Sequence, residues 1–430
     1  MADEGENEVY SQDIMVDSKE EGEALPKSEP KKNLLKWMEI TLSEPERRVG
    51  ISMKMQETYM VYLIETKITD ETVEGYGDPP TSIWRRYSEF EMLRNYLEVM
   101  YPFVVVPPLP EKKATFTWQK STTDKFDPEF IERRRVGLEN FVLRVASHPL
   151  MSQDELFRDF LKQEEGWREK LIETGYQAKG DSKLRTLSAS YRIKKPDSRF
   201  EEMKSYSNEL QSHIGNVLKI RAKLCDRLYA YHKVNANYGR VFSEWSALEK
   251  EMADGLQSAG HFVDVYASSI DALLEDEEQF ADQLKEYYAF CDAVRNVCRR
   301  QELAQLNMEK AEENLTYKRN QRDQLAEGKT SGLSLTGLKS KLFGGDTAEQ
   351  REEKLKVLDE QIKEAEAQVK TQTEEAREFV KDALQDLERF QRQKVKDLKE
   401  SFTNYALFQI ERCKKGIEVW QKTRECFEKM

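Results

Sequence analysis

Cysteine is scarce. The chain of 430 residues has five, Cys225, Cys291, Cys298, Cys413 and Cys426, an odd number with no CxxC pair. That argues against a disulfide framework or a cysteine zinc site and fits a reducing compartment. Glycine and proline are few as well, 19 and 12, too few for a loop-rich β array or a disordered chain. No apolar run reaches the length of about 20 residues that crosses a bilayer. The longest near-apolar stretch, Val99 to Leu109, is interrupted by Pro102, Pro107 and Pro108. The opening MADEGENEVY lacks a basic-then-apolar leader. A soluble protein is expected, with any membrane contact peripheral.

Catalytic patterns are missing too. His148, His213, His232 and His261 are scattered, and no P-loop, nucleotide fingerprint or HExxH occurs. Gly75-Tyr76-Gly77 lacks a third glycine and sits in a proline-rich turn. Cys291 and Cys298 share a helix face and read as core residues. Neither an enzyme nor a metal or cofactor site is expected, and no nucleic-acid partner.

What is abundant is charge, 34% of residues against 38% hydrophobic, which disfavours a single compact core. The net charge of −12 is concentrated at one end: residues 1–30 carry ten acids and two lysines. That leaves the rest nearly balanced, so local basic patches remain open. Residues 1–33 read as a disordered acidic tail.

Between residues 34 and 163 the pattern is mixed α+β. Trp37 to Leu42, Tyr59 to Ile68 and Ser82 to Tyr87 are rich in β-branched and aromatic residues and predict three strands of an antiparallel meander, with Ser43-Glu44-Pro45 as turn material. Ser88 to Met100 switches to helical spacing with Ser88 as N-cap, and residues 129–147 do the same through Ile131, Leu138, Phe141, Val142 and Val145. The prolines of VVVPPLPEKK between them predict an extended segment. Its PxxP could alone serve as an SH3 ligand, but its place between two amphipathic helices favours a folded site.

Three local runs occur in order: Trp84-Arg85-Arg86-Tyr87-Ser88-Glu89-Phe90, then Pro107-Pro108-Leu109-Pro110 followed by Lys112, then Arg133-Arg134-Arg135 before Gly137-Leu138-Glu139-Asn140-Phe141. Together they resemble the phox-homology (PX) domain. The resemblance implies a three-stranded sheet with helices that binds phosphatidylinositol 3-phosphate. Residue by residue it implies that Arg86 takes the 3-phosphate, Tyr87 lies beneath the inositol, Lys112 meets the 1-phosphate and Arg134 bonds the 4- and 5-hydroxyls. The chemistry is sound: a guanidinium fork matches the oxygens of a phosphomonoester. Arg85 and Lys113 flank these positions and read as solvated neighbours.

Two further stretches are candidates for membrane contact. Phe116 and Trp118, beside Lys113 and Lys120, suit insertion into headgroups, or equally cover of the domain's own core. In the linker, residues 164–197, Leu184, Leu187 and Tyr191 fall on one helical face among Lys183, Arg185, Arg192, Lys194 and Lys195. That pattern predicts a short amphipathic helix able to lie on an anionic bilayer.

From residue 198 to 430 the helical period is nearly continuous. Gly328 to Asp346 is the strong break, and Asp254-Gly255 with Ala259-Gly260 a weak one. They predict three helices, about 198–253, 259–327 and 347–428. The apolar stripe, with aromatics at Phe242, Trp245, Phe262, Tyr266 and Trp420, needs more cover than one thin bundle supplies, which favours a dimer. Cations at Lys219, Arg221, Lys223 and Arg227, at Lys318, Arg319 and Arg322, and at Lys339 and Lys341 are candidates for lipid contact or simply a solvated face.

Three long helices after a PX-like domain resemble the BAR domain of PX-BAR sorting nexins. That resemblance implies a homodimer, or a heterodimer with another PX-BAR sorting nexin, peripheral on the cytosolic face of early endosomes and sensing or stabilising curved membrane. It further implies endosomal recycling, protein transport and autophagy-linked sorting. The competing expectation is a soluble coiled-coil adaptor whose PX-like domain recruits proteins and binds lipid weakly.

Overall fold

A computed structural model describes residues 33–52, 55–69, 81–112, 127–180, 193–327 and 348–430. The expected meander is present as β1 (Met38–Ser52), β2 (Met55–Ile68) and β3 (Thr81–Arg86), antiparallel in the order β1-β2-β3. The first two strands are longer than expected. Ser43-Glu44-Pro45 is not a turn: β1 continues through it with a register shift between Ser43 and Pro45. A bulge tolerates the proline, which has no N–H to give the ladder. The backbone there is paired by a helix, since the Leu42 N–H donates to Glu139 Oε1 at 3.0 Å and Arg135 donates to the Leu42 carbonyl.

Helix α1 (Tyr87–Met100) starts directly from β3. Its N-cap is Arg86, not Ser88, and the Arg86 N–H donates to Glu89 Oε2 at 2.7 Å. Helix α2 (Pro128–Ser147) has proline in its first turn and Asp127 accepting from the Glu129 and Phe130 amides. Helices α3 (Glu155–Lys162) and α4 (Trp167–Glu173) follow. One apolar cluster joins the sheet to these helices through Ile40, Leu42, Tyr62, Ile64, Phe90, Leu93, Phe141, Val142, Phe157 and Phe160. Trp167, Leu171 and Tyr176 belong to it as well.

The remainder is helical: α5 (Ser198–Ser246), α6 (Ala253–Ala326) and α7 (Ala348–Glu428). At 1.5 Å per residue α7 runs about 120 Å. Its Ala383, Leu387 and Phe390 pack with Leu218 of α5 and Leu284, Tyr287, Phe290 and Val294 of α6. The expected weak break at Gly255 and Gly260 is displaced, because α5 ends at Ser246 and both glycines lie inside α6. They serve close packing instead. A Cβ on Gly260 would lie 2.7 Å from the Gly239 carbonyl oxygen and one on Gly239 2.9 Å from that of Gly260, so α5 and α6 touch backbone to backbone there. Among the described residues no helix is long and apolar enough to cross a membrane.

The sheet-bearing part docks on the helices through buried polar contacts. Val105 joins the helical core cluster, and Phe103 meets Phe379 edge-on at 6.5 Å. His148, just beyond α2, lies 2.9 Å from Asp386 of α7 and is 1% exposed. Its Nδ1 accepts from the Leu150 and Met151 amides at 3.1 and 3.2 Å, so the proton of the neutral ring is on Nε2, facing the carboxylate. Arg144 forms a fork with Glu286 at 2.5 and 2.6 Å and reaches Asp397 at 2.9 Å. A cavity of about 370 Å³ at this joint is lined by Arg144, His148, Phe290, Arg389 and Asp397 among others.

Candidate functional site

Strand alternation separates the two adjacent arginines of β3. Ile83 and Arg85 are buried, while Trp84 and Arg86 lie on the other face and are partly exposed. Arg85 is therefore not a solvated neighbour. It is 1% exposed, stacked against Phe160 and Trp167, with its guanidinium donating to the carbonyls of Phe160, Gln163 and Glu164. Those carbonyls lie in the last turn of α3 and just past it, where helical geometry leaves acceptors unpaired and favours a cation.

Arg86 behaves differently. Its Cζ lies 3.3 Å from the centroid of the Tyr59 ring on β2, and among the described residues its guanidinium has no carboxylate partner. Tyr87, the first residue of α1, is half-buried, and its hydroxyl donates to the Pro110 carbonyl at 2.7 Å. Burial, reinforced by Glu91, pushes its phenol up to about 12. The ring is thus held neutral and anchored at one end by the proline segment.

That segment is pressed onto α2 at Gly137, where a Cβ would come within 2.6 Å of the Pro110 Cβ. From the other side Arg94 donates to the Pro107 carbonyl at 3.1 Å. Lys112, at the end of the segment, pairs with Glu91 at 2.6 Å and lies 5.8 Å from the Tyr87 ring centroid. The three consecutive arginines of α2 diverge, as the helical step of about 100° requires. Arg135 pairs with Glu132 and Glu139, and Arg133 meets Glu278 of α6 at 3.4 Å. Arg134 lies over the Tyr87 ring at 5.1 Å and the Phe130 ring at 4.5 Å, and donates to the Lys112 carbonyl at 3.0 Å. Arg134 also faces the fully buried Tyr62 phenol: burial raises the pKa of that phenol, and the nearby guanidinium opposes the rise.

The structure thus gathers Tyr87, Lys112 and Arg134 around one ring, with Arg86 next to it in the chain. Two further members were not visible in the sequence. Tyr59 supports Arg86, and Glu91 holds Lys112; only strand register and helix position bring these pairs together. Phe116, Trp118, Leu184, Leu187, Tyr191, Lys339 and Lys341 lie outside the described residues.

Of the candidate cations on the long helices, Lys219, Lys223 and Arg227 are exposed, whereas four others have partners within the protein. Arg221 is not on the surface: it is 4% exposed, pairs with Glu278 at 2.6 Å and donates to the Glu277 carbonyl. Lys318, Arg319 and Arg322 reach Gln361, Glu366 and Asp359 of α7. Among the described residues nothing covers a long apolar stripe on α5. Val217, Ile220, Leu224, Tyr231, Val234, Tyr238, Val241 and Trp245 follow three-and-four spacing, each at least 40% exposed. Phe402, Ile410, Ile417, Trp420 and Phe427 of α7 are exposed in the same way.

A fold that joins a three-stranded PX-type sheet to three long helices, with cations around a tyrosine at the sheet's edge, defines the class. Residues 75–164 match the PX domain family. The chain is 57% identical over 397 residues to sorting nexin-4 of Mus musculus, covering 92% of this chain and 88% of that protein. For sorting nexin-4 of Homo sapiens the identity is 56% with the same coverage. Sorting nexin-30 of Xenopus tropicalis is 29% identical over 66% of this chain and 61% of its own length. In fold, the chain resembles the SNX-BAR Mvp1, seen by cryo-EM as a tetramer, with a TM-score of 0.55 at 17% identity, covering 89% of this chain and 99% of that one. The chain belongs to the PX-BAR sorting nexins.

Proposed function

We propose that this protein is a peripheral sorting nexin that binds phosphatidylinositol 3-phosphate on the cytosolic face of early endosomes. The carrying observation is Arg86: a guanidinium at a strand end, without a carboxylate partner among the described residues, next in the chain to the tyrosine whose ring Arg134 and Lys112 flank. A phosphomonoester supplies nearly two negative charges and oxygens at the spacing of a guanidinium fork. Tyr87 offers a neutral face for the inositol ring. Lys112 is a point charge suited to the 1-phosphate, and Arg134 has N–H groups for ring hydroxyls. Hydroxyl recognition there disfavours headgroups that carry additional phosphates.

The uncovered stripe on α5 and the exposed apolar side chains of α7 support a dimer, with itself or with another PX-BAR sorting nexin. Two headgroup sites on one dimer bind a membrane with avidity although each contact alone is weak. The long helices add weak, salt-sensitive attraction to anionic, curved or tubular membrane. Family membership supports a role in endosomal recycling, protein transport and autophagy-linked sorting. No catalytic step is part of this reading.

Co-sedimentation with vesicles carrying phosphatidylinositol 3-phosphate tests it. Arg86→Ala abolishes the 3-phosphate-dependent fraction of binding. Unchanged binding by that variant would leave a coiled-coil adaptor that recruits proteins through its PX domain.

A further inference from the structure

Tyr59 has no place in the headgroup contacts described above, yet its ring lies directly against the Arg86 guanidinium. The two groups are separated by 3.3 Å from guanidinium carbon to ring centroid, the distance of planar stacking. The ring sits where β1 leaves it room. A Cβ on Gly50 would lie 2.9 Å from Tyr59 Cε1, nearer than side chains approach one another, so a residue larger than glycine at position 50 displaces the ring. Next to it Arg48 lies 4.6 Å from the Trp84 ring, but that arginine also pairs with Glu46 at 2.9 Å. Arg86 has no such carboxylate among the described residues, which leaves the aromatic face as what fixes its plane.

Stacking uses the face of a guanidinium, whereas its N–H donors all point outward in the plane. A phosphate accepts at that edge, so the two contacts do not compete. An arginine held by its face reaches the anion with fewer rotamers left to lose.

We propose that Tyr59 is a positioning residue for phosphate recognition: seated over Gly50, its ring holds the Arg86 guanidinium with its donor edge free for a phosphomonoester. The inference rests on the reading of Arg86 as the headgroup ligand.

The test uses the full chain and phosphatidylcholine vesicles doped with phosphatidylinositol 3-phosphate, against the same vesicles doped with phosphatidylinositol. Tyr59→Phe keeps the stacking face and binds within about twofold of the natural chain. Tyr59→Leu loses the face and weakens only the 3-phosphate-dependent binding, roughly 3- to 10-fold. Gly50→Val, which displaces the ring without altering it, weakens binding in the same sense. On an Arg86→Lys background, where no planar group remains to stack, Tyr59→Leu changes binding by less than about twofold. A merely structural tyrosine would weaken both backgrounds alike, and that result overturns the proposal. So does natural affinity in both Tyr59→Leu and Gly50→Val while Arg86→Ala abolishes binding. If Arg86→Ala binds normally, the headgroup reading itself falls and the Tyr59 proposal falls with it.

Discussion

His148 and Asp386, 238 residues apart in sequence, meet at 2.9 Å inside the joint between the PX part and α7. The carboxylate has two more partners, the Val105 amide at 2.8 Å and Arg389 at 2.7 Å. Burial opposes its charge, but His148 and Arg389 outweigh that and hold the Asp386 carboxyl down at about 2. Burial lowers the His148 pKa from its ordinary value, with Arg389 acting in the same sense and Asp386 opposing.

Both shifts make the fold sensitive to acid. A histidine with a depressed folded pKa is fully stabilising above its unfolded pKa of about 6.5 and loses that contribution as pH falls below it. Asp386 acts in the same direction lower down, contributing about 2 kcal/mol that is lost as pH falls from about 4 towards 2. Thermal unfolding followed from pH 8 to pH 5 is expected to show a falling midpoint in the natural chain and a flatter profile in His148→Gln. An equally steep profile in the variant would place the acid sensitivity elsewhere.

Arg144→Ala leaves the Glu286 and Asp397 carboxylates at the joint without their guanidinium. Removing one partner of a largely buried pair costs about 3 kcal/mol or more, because the other charge stays desolvated. Urea unfolding should report a loss of that order, with Arg144→Lys recovering only part of it, since an ammonium cannot make the fork.

Gly137→Ala sets two small effects against each other. Alanine is favoured over glycine inside a helix by about 1 kcal/mol, but its Cβ would lie 2.6 Å from that of Pro110. Overpacking costs about 1–3 kcal/mol and dominates unless the proline segment moves away. Since that segment carries Lys112 and anchors the Tyr87 hydroxyl, the expected outcome is weaker binding to phosphatidylinositol 3-phosphate vesicles, although no cation has been altered.

Tyr238→Glu places a charge within the uncovered α5 stripe, where Tyr238 is 57% exposed in the single chain. Burying that charge in an interface without a partner is unfavourable by several kcal/mol. Sedimentation velocity should show the natural chain as a dimer at micromolar concentration and the variant shifted to monomer, with unchanged helical circular dichroism. A natural chain that sediments as a monomer would contradict the interface.

The strands and long helices were legible because their signals are periodic and local: β-branched runs before residue 87, three-and-four spacing after 198. What escaped depends on faces and partners. Arg85 and Arg86 are identical neighbours, and only the sheet's buried side separates a helix-capping core arginine from a partly exposed one. Continued period-two alternation from Ile83 would have shown this. Arg221 looked like one more cation on a solvated helix, but Glu278, its partner, lies 57 residues away on another helix. Gly255 and Gly260 resembled helix breaks because glycine is a weak helix former, yet close contact with neighbouring backbone or side chains decides both positions. The motif residues Tyr87, Lys112 and Arg134 were legible by resemblance; their neighbours Tyr59 and Glu91 belong to no local pattern.

The fan of Arg133, Arg134 and Arg135 on α2 makes one rod serve as wall, brace and hinge pin. The middle guanidinium overlies the tyrosine ring, one neighbour grips the bulged strand, and the other joins a carboxylate that also holds α5 through Arg221. Any swivel of that rod must strain all three attachments together. In the proposed binding mode, the angle at which the long helices approach a bilayer is therefore set within the polypeptide before lipid is met, as a blade's angle is set by its handle.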